Sequence, residues 1–214
     1  MEVLAQLNPH LRTLGIAVPS KIGDSRGVAA MELFTARRFD LAAKHLYARH
    51  RLLGVEDGWA RRVYEAHLEA FNGFVEADGS GKTGPAAFGA AFDAILDSVV
   101  EKGFDASESL VPLGRNGIII DGAHRLAACL LHRQAVQIVE LDHAGSAFDH
   151  RFFRERGLAE PFSDAIALEY CRLQPNAVQV LLFPSAKGQV ARVRAIVEEY
   201  GYIAYEKEVE LNRL

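Results

Sequence analysis

The chain has only two cysteines, Cys129 and Cys171, among 214 residues. Two scattered thiols exclude a disulfide framework and a cysteine-built zinc site. Cys129 falls close to the apolar stripe of its helix and reads as an inert core thiol. No apolar stretch approaches the roughly 20 residues of a membrane span, and the N-terminus lacks the basic-then-apolar pattern of a signal peptide. Both absences point to a cytoplasmic protein with no membrane span. No run of Lys and Arg stands out. A net charge of −4 argues against binding nucleic acid by bulk electrostatics. Internal repeats and low-complexity tracts are also missing. What remains is ordinary globular composition, 50% hydrophobic and 24% charged, which excludes a disordered chain.

Periodicity divides the chain. Residues 1–75 read as a helical N-terminal region. Asp40 is placed to cap a helix whose inward face is Ala43, Leu46, Tyr47, His50 and Leu53. A second helix puts Trp59, Val63, Ala66, His67 and Ala70 on one side, with His67 a core histidine and Gly73 the stop. Residues 77–85 are a loop by composition. A third helix, burying Phe88, Phe92, Ile95 and Val99, runs to Lys102 and Gly103. Residues 110–113 form an edge strand interrupted by Pro112. Residues 114–117 turn, 118–120 form the next strand, 123–133 a helix, and 135–141 an alternating strand. Residues 142–162 are polar and irregular and read as a linker. Residues 163–214 read as a C-terminal α/β unit, with helices at 164–174 and 186–200 and strands at 178–183 and 202–211. Such a unit makes a thin sheet, so it either docks on the central sheet or leads into a further C-terminal domain of a longer chain. Arg37-Arg38 and Arg61-Arg62 read as solvated helix faces. The expected fold class is α/β (α+β).

One stretch carries most of the chemistry, Gly117-Ile118-Ile119-Ile120-Asp121-Gly122-Ala123-His124-Arg125. A β-branched run stops at Asp-Gly, and a helix with Ala123, Leu126, Ala127, Leu130 and Leu131 on one face starts at once. The first helical turn offers unpaired N–H groups and the positive end of the helix dipole, a ready phosphate site. A helix end supplies only about 0.3–1 kcal/mol to an anion, whereas millimolar binding needs about 4 kcal/mol. Arg125 can add bidentate contacts and Lys82 a point charge, at about 1.5–3 kcal/mol for each charged hydrogen bond. Gly122 lets the backbone approach the phosphates, and His124 can donate to a phosphate oxygen. Gly79-Ser80-Gly81-Lys82-Thr83 imitates the end of a P-loop, but that pattern needs glycine at position 76, where Glu76 stands. A Walker-type NTPase is therefore excluded. Lys82 and Thr83 remain phosphate partners if the loop folds over the helix start. Asp142-His143 and Asp149-His150 match no standard metal-ligand spacing.

The segment from about Glu76 to Leu141 resembles the ParB/sulfiredoxin-like superfamily, whose nucleotide phosphates sit on such a turn. Sulfiredoxins carry Gly-Cys-His-Arg there, and the present Gly122-Ala123-His124-Arg125 lacks the cysteine. ParB proteins carry Gly-Glu-Arg-Arg and a helix-turn-helix domain, neither of which is found here. The free serine kinase branch carries Asp-Gly-His-Thr-Arg; Asp121, Gly122 and Arg125 match it in spacing. More loosely, Arg38-Phe39-Asp40 with Lys44 and Tyr47, Phe71-Asn72-Gly73-Phe74-Val75-Glu76, and Phe183-Pro184-Ser185-Ala186 resemble uncharacterised proteins of bacterial surface-polysaccharide loci.

The resemblance implies an ATP-dependent kinase acting on a hydroxyl of a sugar, polyol or similar metabolite, with ADP or CTP as alternative nucleotides. Phosphoryl transfer needs an oriented acceptor and usually Mg²⁺. Glu76 is the nearest equivalent of the superfamily's upstream glutamate and is the expected base. Asp121 and His124 complete the expected catalytic group. Lys82, Thr83, Gly122, Ala123, His124 and Arg125 are the expected nucleotide contacts. Asp78 and Asp121 are the candidates for Mg²⁺, and Asp121 is equally suited to bracing its turn. Two other functions fit the same residues, a non-catalytic nucleotide-binding regulatory or scaffold module, and a ParB-like DNA-associated protein.

Overall fold

The computed structural model describes residues 25–76, 81–184 and 186–209, together with Leu7, Leu11 and Ile16. The helical reading of the first residues, and the last residues of the expected strand 202–211, therefore lie outside the described residues. The architecture is α/β (α+β), with seven α-helices around one small mixed sheet among the described residues. Strands β1 (Arg26–Ala29), β2 (Val111–Gly114) and β3 (Ala135–Leu141) lie in the order β1-β3-β2. β3 pairs antiparallel with β1 and parallel with β2. Its alternation buries Val136 and Ile138 in the main core, and Val139 and Leu141 in a second cluster with Leu7, Leu11, Ile16 and Leu110. Both faces of the central strand are thus covered.

The helices are α1 (Phe39–Leu52), α2 (Trp59–Asn72), α3 (Gly84–Lys102), α4 (Ala123–Leu131), α5 (His150–Glu155), α6 (Glu160–Leu173) and α7 (Val190–Tyr200). α1 is the central helix. It packs on α2, α4 and α6, and every residue from Phe39 to Ala48 is buried. α2 stops where expected, with Gly73 in the left-handed conformation at its C-terminus. α3 covers the expected span but turns Leu96 rather than Ile95 fully inward. α4 is the crossover between the parallel strands β2 and β3.

Several expectations fail for identifiable reasons. Residues 26–29 form a strand within the region read as helical. Asp40 does not cap α1; it lies inside the first turn, buried between Arg38 and Lys44. Arg38 is buried as well, because it pairs with Asp40 instead of facing water. Residues 118–120 are no full strand. They fold back on β2 through one antiparallel bridge, Leu113 to Ile119, with Ile120 N–H donating to the Pro112 carbonyl at 2.8 Å. Residues 142–162 are not irregular throughout. They contain α5, capped by Asp149 accepting from Phe152 N–H, and contribute Phe153 and Leu158 to the main core. The described residues of 163–209 contain no strand. The 178–183 stretch has no regular secondary structure and pairs with no strand among the described residues, and Val178, Leu181 and Phe183 are exposed.

The loop after β3 closes tightly on the turn after β2. Asn116 holds Gly145 by donating to its carbonyl at 2.8 Å and accepting from its N–H at 2.9 Å. A Cβ on Gly145 would collide with the Ile118 carbonyl, and one on Gly114 with the Gly145 backbone. Both obstacles are backbone, which cannot swing aside. Gly145→Ala is therefore expected to cost about 1–3 kcal/mol of stability, read from chemical denaturation. An unchanged midpoint would contradict this packing.

Candidate functional site

The turn into α4 follows directly from its sequence. Gly122 precedes the helix with φ 85°, a left-handed conformation that favours glycine. Asp121 Oδ1 accepts from Gly122 N–H at 2.6 Å and braces the bend. The first helical bond is Leu126 N–H to the Gly122 carbonyl, at 2.9 Å. The N–H groups of Ala123, His124 and Arg125 have no intrahelical acceptor, and no side chain caps the helix. Arg125 folds back beside Gly122, its Nη2 3.8 Å from where a Gly122 Cβ would lie. Burial lowers its guanidinium from the ordinary value, and the Asp121 carboxylate pulls the other way.

A cleft of about 310 Å³ opens over this turn. Glu76, Lys82, Asp121, Gly122, Ala123, His124 and Arg125 all line it. Glu76 and Lys82 reach it because the chain on either side of residues 77–80 is clasped. Val75 bridges Thr83, Glu76 N–H donates to the Lys82 carbonyl at 3.2 Å, and Gly84 N–H to the Phe74 carbonyl at 3.0 Å. Their side chains then meet, Lys82 Nζ to Glu76 Oε2 at 3.0 Å, with Nζ 4.5 Å from the centre of the Phe88 ring. The far wall is part apolar, with Ile95, Val99 and Phe104, and part polar, with Ser98, Ser109 and Glu108.

Compared with protein-family models, curated proteins and solved structures, the chain matches none.

One expected residue stands apart from this cleft. Thr83 does not line it; its backbone bridges Val75 and leads into α3. Asp78 lies outside the described residues. No three His, Cys, Asp or Glu side chains come together as a metal site among the described residues. Mg²⁺ held mainly by phosphates needs only one or two protein carboxylates. Asp121 commits Oδ1 to Gly122, which leaves its second oxygen for a cation.

Beneath the cleft lies a buried polar chain that sequence reasoning missed. Arg38 clamps Asp40 with two 2.8 Å bonds and donates a third, at 2.8 Å, to the Ile119 carbonyl just before the Asp-Gly turn. Lys44 Nζ donates to Asp40 Oδ2 at 3.0 Å and lies 3.1 Å from His67 Nε2. An ammonium has only donors, so His67 Nε2 accepts. Its Nδ1–H then donates to the Tyr64 carbonyl, 2.6 Å away. Burial opposes the charge on Asp40, but Arg38 and Lys44 outweigh it and hold the carboxyl far below the usual range. His67 is pushed down to about 3 by burial and by Lys44. His124 is lowered well below its ordinary value by burial, then by Lys44, His67 and Lys82. Both imidazoles are neutral at pH 7. The one signal in the sequence was the 38–40–44 spacing, which puts Asp40 and Lys44 one helical turn apart.

The sign of the pH dependence follows. A histidine that resists protonation when folded accepts a proton in the unfolded chain near pH 6.5. Its stabilising contribution is complete above that pH and declines as the pH falls toward the folded value, about 3 for His67. The urea midpoint should therefore be lower at pH 5 than at pH 7.5, and His67→Gln should flatten that slope. A wild-type midpoint that does not change between the two would contradict the neutral buried state.

Proposed function

We propose that the cleft binds nucleotide phosphates, and that the protein is an ATP-dependent kinase for a small hydroxylated metabolite such as a sugar or polyol. The observation that carries this reading is the meeting of Glu76, Lys82 and the uncapped α4 N-terminus with Arg125 in one cleft. The phosphates would accept from the first-turn N–H groups and be clamped by Arg125 and Lys82. Mg²⁺, when bound, supplies charge neutralisation at the phosphates, and Asp121 is the residue we assign to it. Lys82 pairs with Glu76 on the cleft wall. Phosphates competing for Lys82 would release the carboxylate toward the acceptor. Glu76 then takes the hydroxyl proton, the acceptor oxygen bonds the γ-phosphorus, and ADP leaves with the bridging oxygen. The resemblance to the free serine kinase branch supports the same roles, and the resemblance to proteins of surface-polysaccharide loci supports a glycan precursor as acceptor. No helix among the described residues is long and apolar enough to cross a membrane, in keeping with a cytoplasmic enzyme.

The Glu76–Lys82 ion pair also favours a second reading, a regulatory module that binds nucleotide without turnover. Two variants separate the readings. Arg125→Ala should weaken ATP or ADP binding at least tenfold by calorimetry, and wild-type affinity would sink the phosphate site. Glu76→Gln should retain ATP yet lose ADP release with a panel of sugars and polyols. Undiminished turnover would remove Glu76 as base. No turnover in the wild type with any acceptor, despite tight ATP binding, would favour the regulatory module.

A further inference from the structure

Tyr64 is buried in α2, sixty positions before His124, yet its hydroxyl lies 3.0 Å from His124 Nε2. Among the described residues its other hydroxyl partner is the Phe88 carbonyl, at 3.4 Å. That carbonyl lies within α3 and is an acceptor for the helix's own ladder. A phenol has one proton. The shorter and less committed acceptor is the imidazole nitrogen. The ring cannot slide away from this bond, because Tyr64 stacks on Tyr47 at 4.9 Å and packs against Phe92 at 5.4 Å, while Phe92 meets the His124 ring edge-on at 4.8 Å. The backbone of Tyr64 is held too, by His67 Nδ1–H on its carbonyl. His124 Nε2 therefore points into the protein interior. Nδ1 is not among the sealed, unpartnered ring nitrogens and meets no group among the described residues, so it is the nitrogen left for the cleft that His124 lines.

We infer that Tyr64 is a positioning residue that fixes the tautomer of His124. By donating to Nε2 it puts the ring proton on Nδ1, which becomes a neutral hydrogen-bond donor aimed at an oxyanion in the cleft. This rests on the phosphate reading for the identity of the oxyanion, but not for the tautomer. The charged and titrating groups around the ring are consistent with the assignment. Lys44 from α1, His67 from α2 and Lys82 from the clasped loop all disfavour a second proton on His124, and Asp40 acts the other way. A neutral imidazole has one donor, and Tyr64 decides which way it faces. Without the phenol, Nε2 loses its donor and the two tautomers become free to exchange.

Side-chain nitrogen-15 spectra of the whole chain at pH 7 test this directly, with His124→Gln used to assign the signal. The wild type should show His124 protonated at Nδ1. Tyr64→Phe, which keeps the ring and its packing, should shift the signal toward the Nε2–H form. It should also weaken ADP binding about fivefold or more. An Nε2–H tautomer in the wild type, or a tautomer unchanged in Tyr64→Phe, would overturn the assignment. An Nδ1–H ring in a wild type that fails to bind ADP would uphold the tautomer and reject the phosphate reading instead. Tyr64→Leu serves as a control for packing: it should give the same tautomer shift as Tyr64→Phe with a larger loss of stability. If only Tyr64→Leu moved the signal, the effect would be one of packing and the inference would fail.

Discussion

The carboxylate of Asp40 holds the site together. It is 1% exposed, yet it stays ionised between Arg38 and Lys44. Each cation then links a different part of the chain. Arg38 reaches the Ile119 carbonyl, which fixes the end of the return segment where the Asp-Gly turn begins. The main chain beside it is tied to the loop before α5, with Phe39 N–H donating to the Phe148 carbonyl at 2.9 Å and Phe148 N–H to the Arg37 carbonyl at 2.7 Å. Lys44 reaches His67 in α2. A buried charge with one partner removed typically costs about 3–5 kcal/mol, far more than the exposed Arg26–Glu140 pair on the sheet, which belongs to a class contributing about 0–1 kcal/mol. The network makes sense as geometry: it fixes where the α4 turn sits relative to α1 and α2.

A second buried ion group anchors the other side of α1. His45 and Arg49 hold Glu169 of α6, at 2.7 Å and 2.9 Å. Burial raises the Glu169 carboxyl, but those two bonds overcome it and hold the group at about 2. α1 is therefore pinned near its start to the cleft and further along to α6. This explains how a helix whose residues from Phe39 to Ala48 are all buried can carry Asp40, Lys44 and His45. Asp40 is satisfied by Arg38 and Lys44, Lys44 also by His67 of α2, and His45 by Glu169 of α6.

The helices and the α4 turn were legible because they depend on local chemistry. The change from a β-branched run to a 3.6-residue stripe at Asp-Gly marks one spot, and Gly73 stops α2 as its position suggests. Lys82 and Arg125 were legible from a loop and a turn whose composition is informative, and Glu76 from the superfamily resemblance; all three line one cleft. The buried network was not legible. Arg38 and Lys44 look like surface cations until the partners arrive from other elements, and Tyr64 and His124 meet only through the packing of α2 against α3 and α4. The strand expected at 178–183, and residues 202–209 of the one expected at 202–211, are absent for the opposite reason. A β-branched, apolar run becomes a strand only when it pairs with an edge, and the two edges of the sheet, β1 and β2, pair with neither stretch.

The central claim is that the first turn of α4 receives phosphate. Backbone amide shifts during titration with Mg·ADP test it most directly. The account predicts the largest changes at Gly122, Ala123, His124 and Arg125, with a smaller response at Lys82 across the cleft. Saturable shifts confined to another region, or none at millimolar ADP, would contradict it.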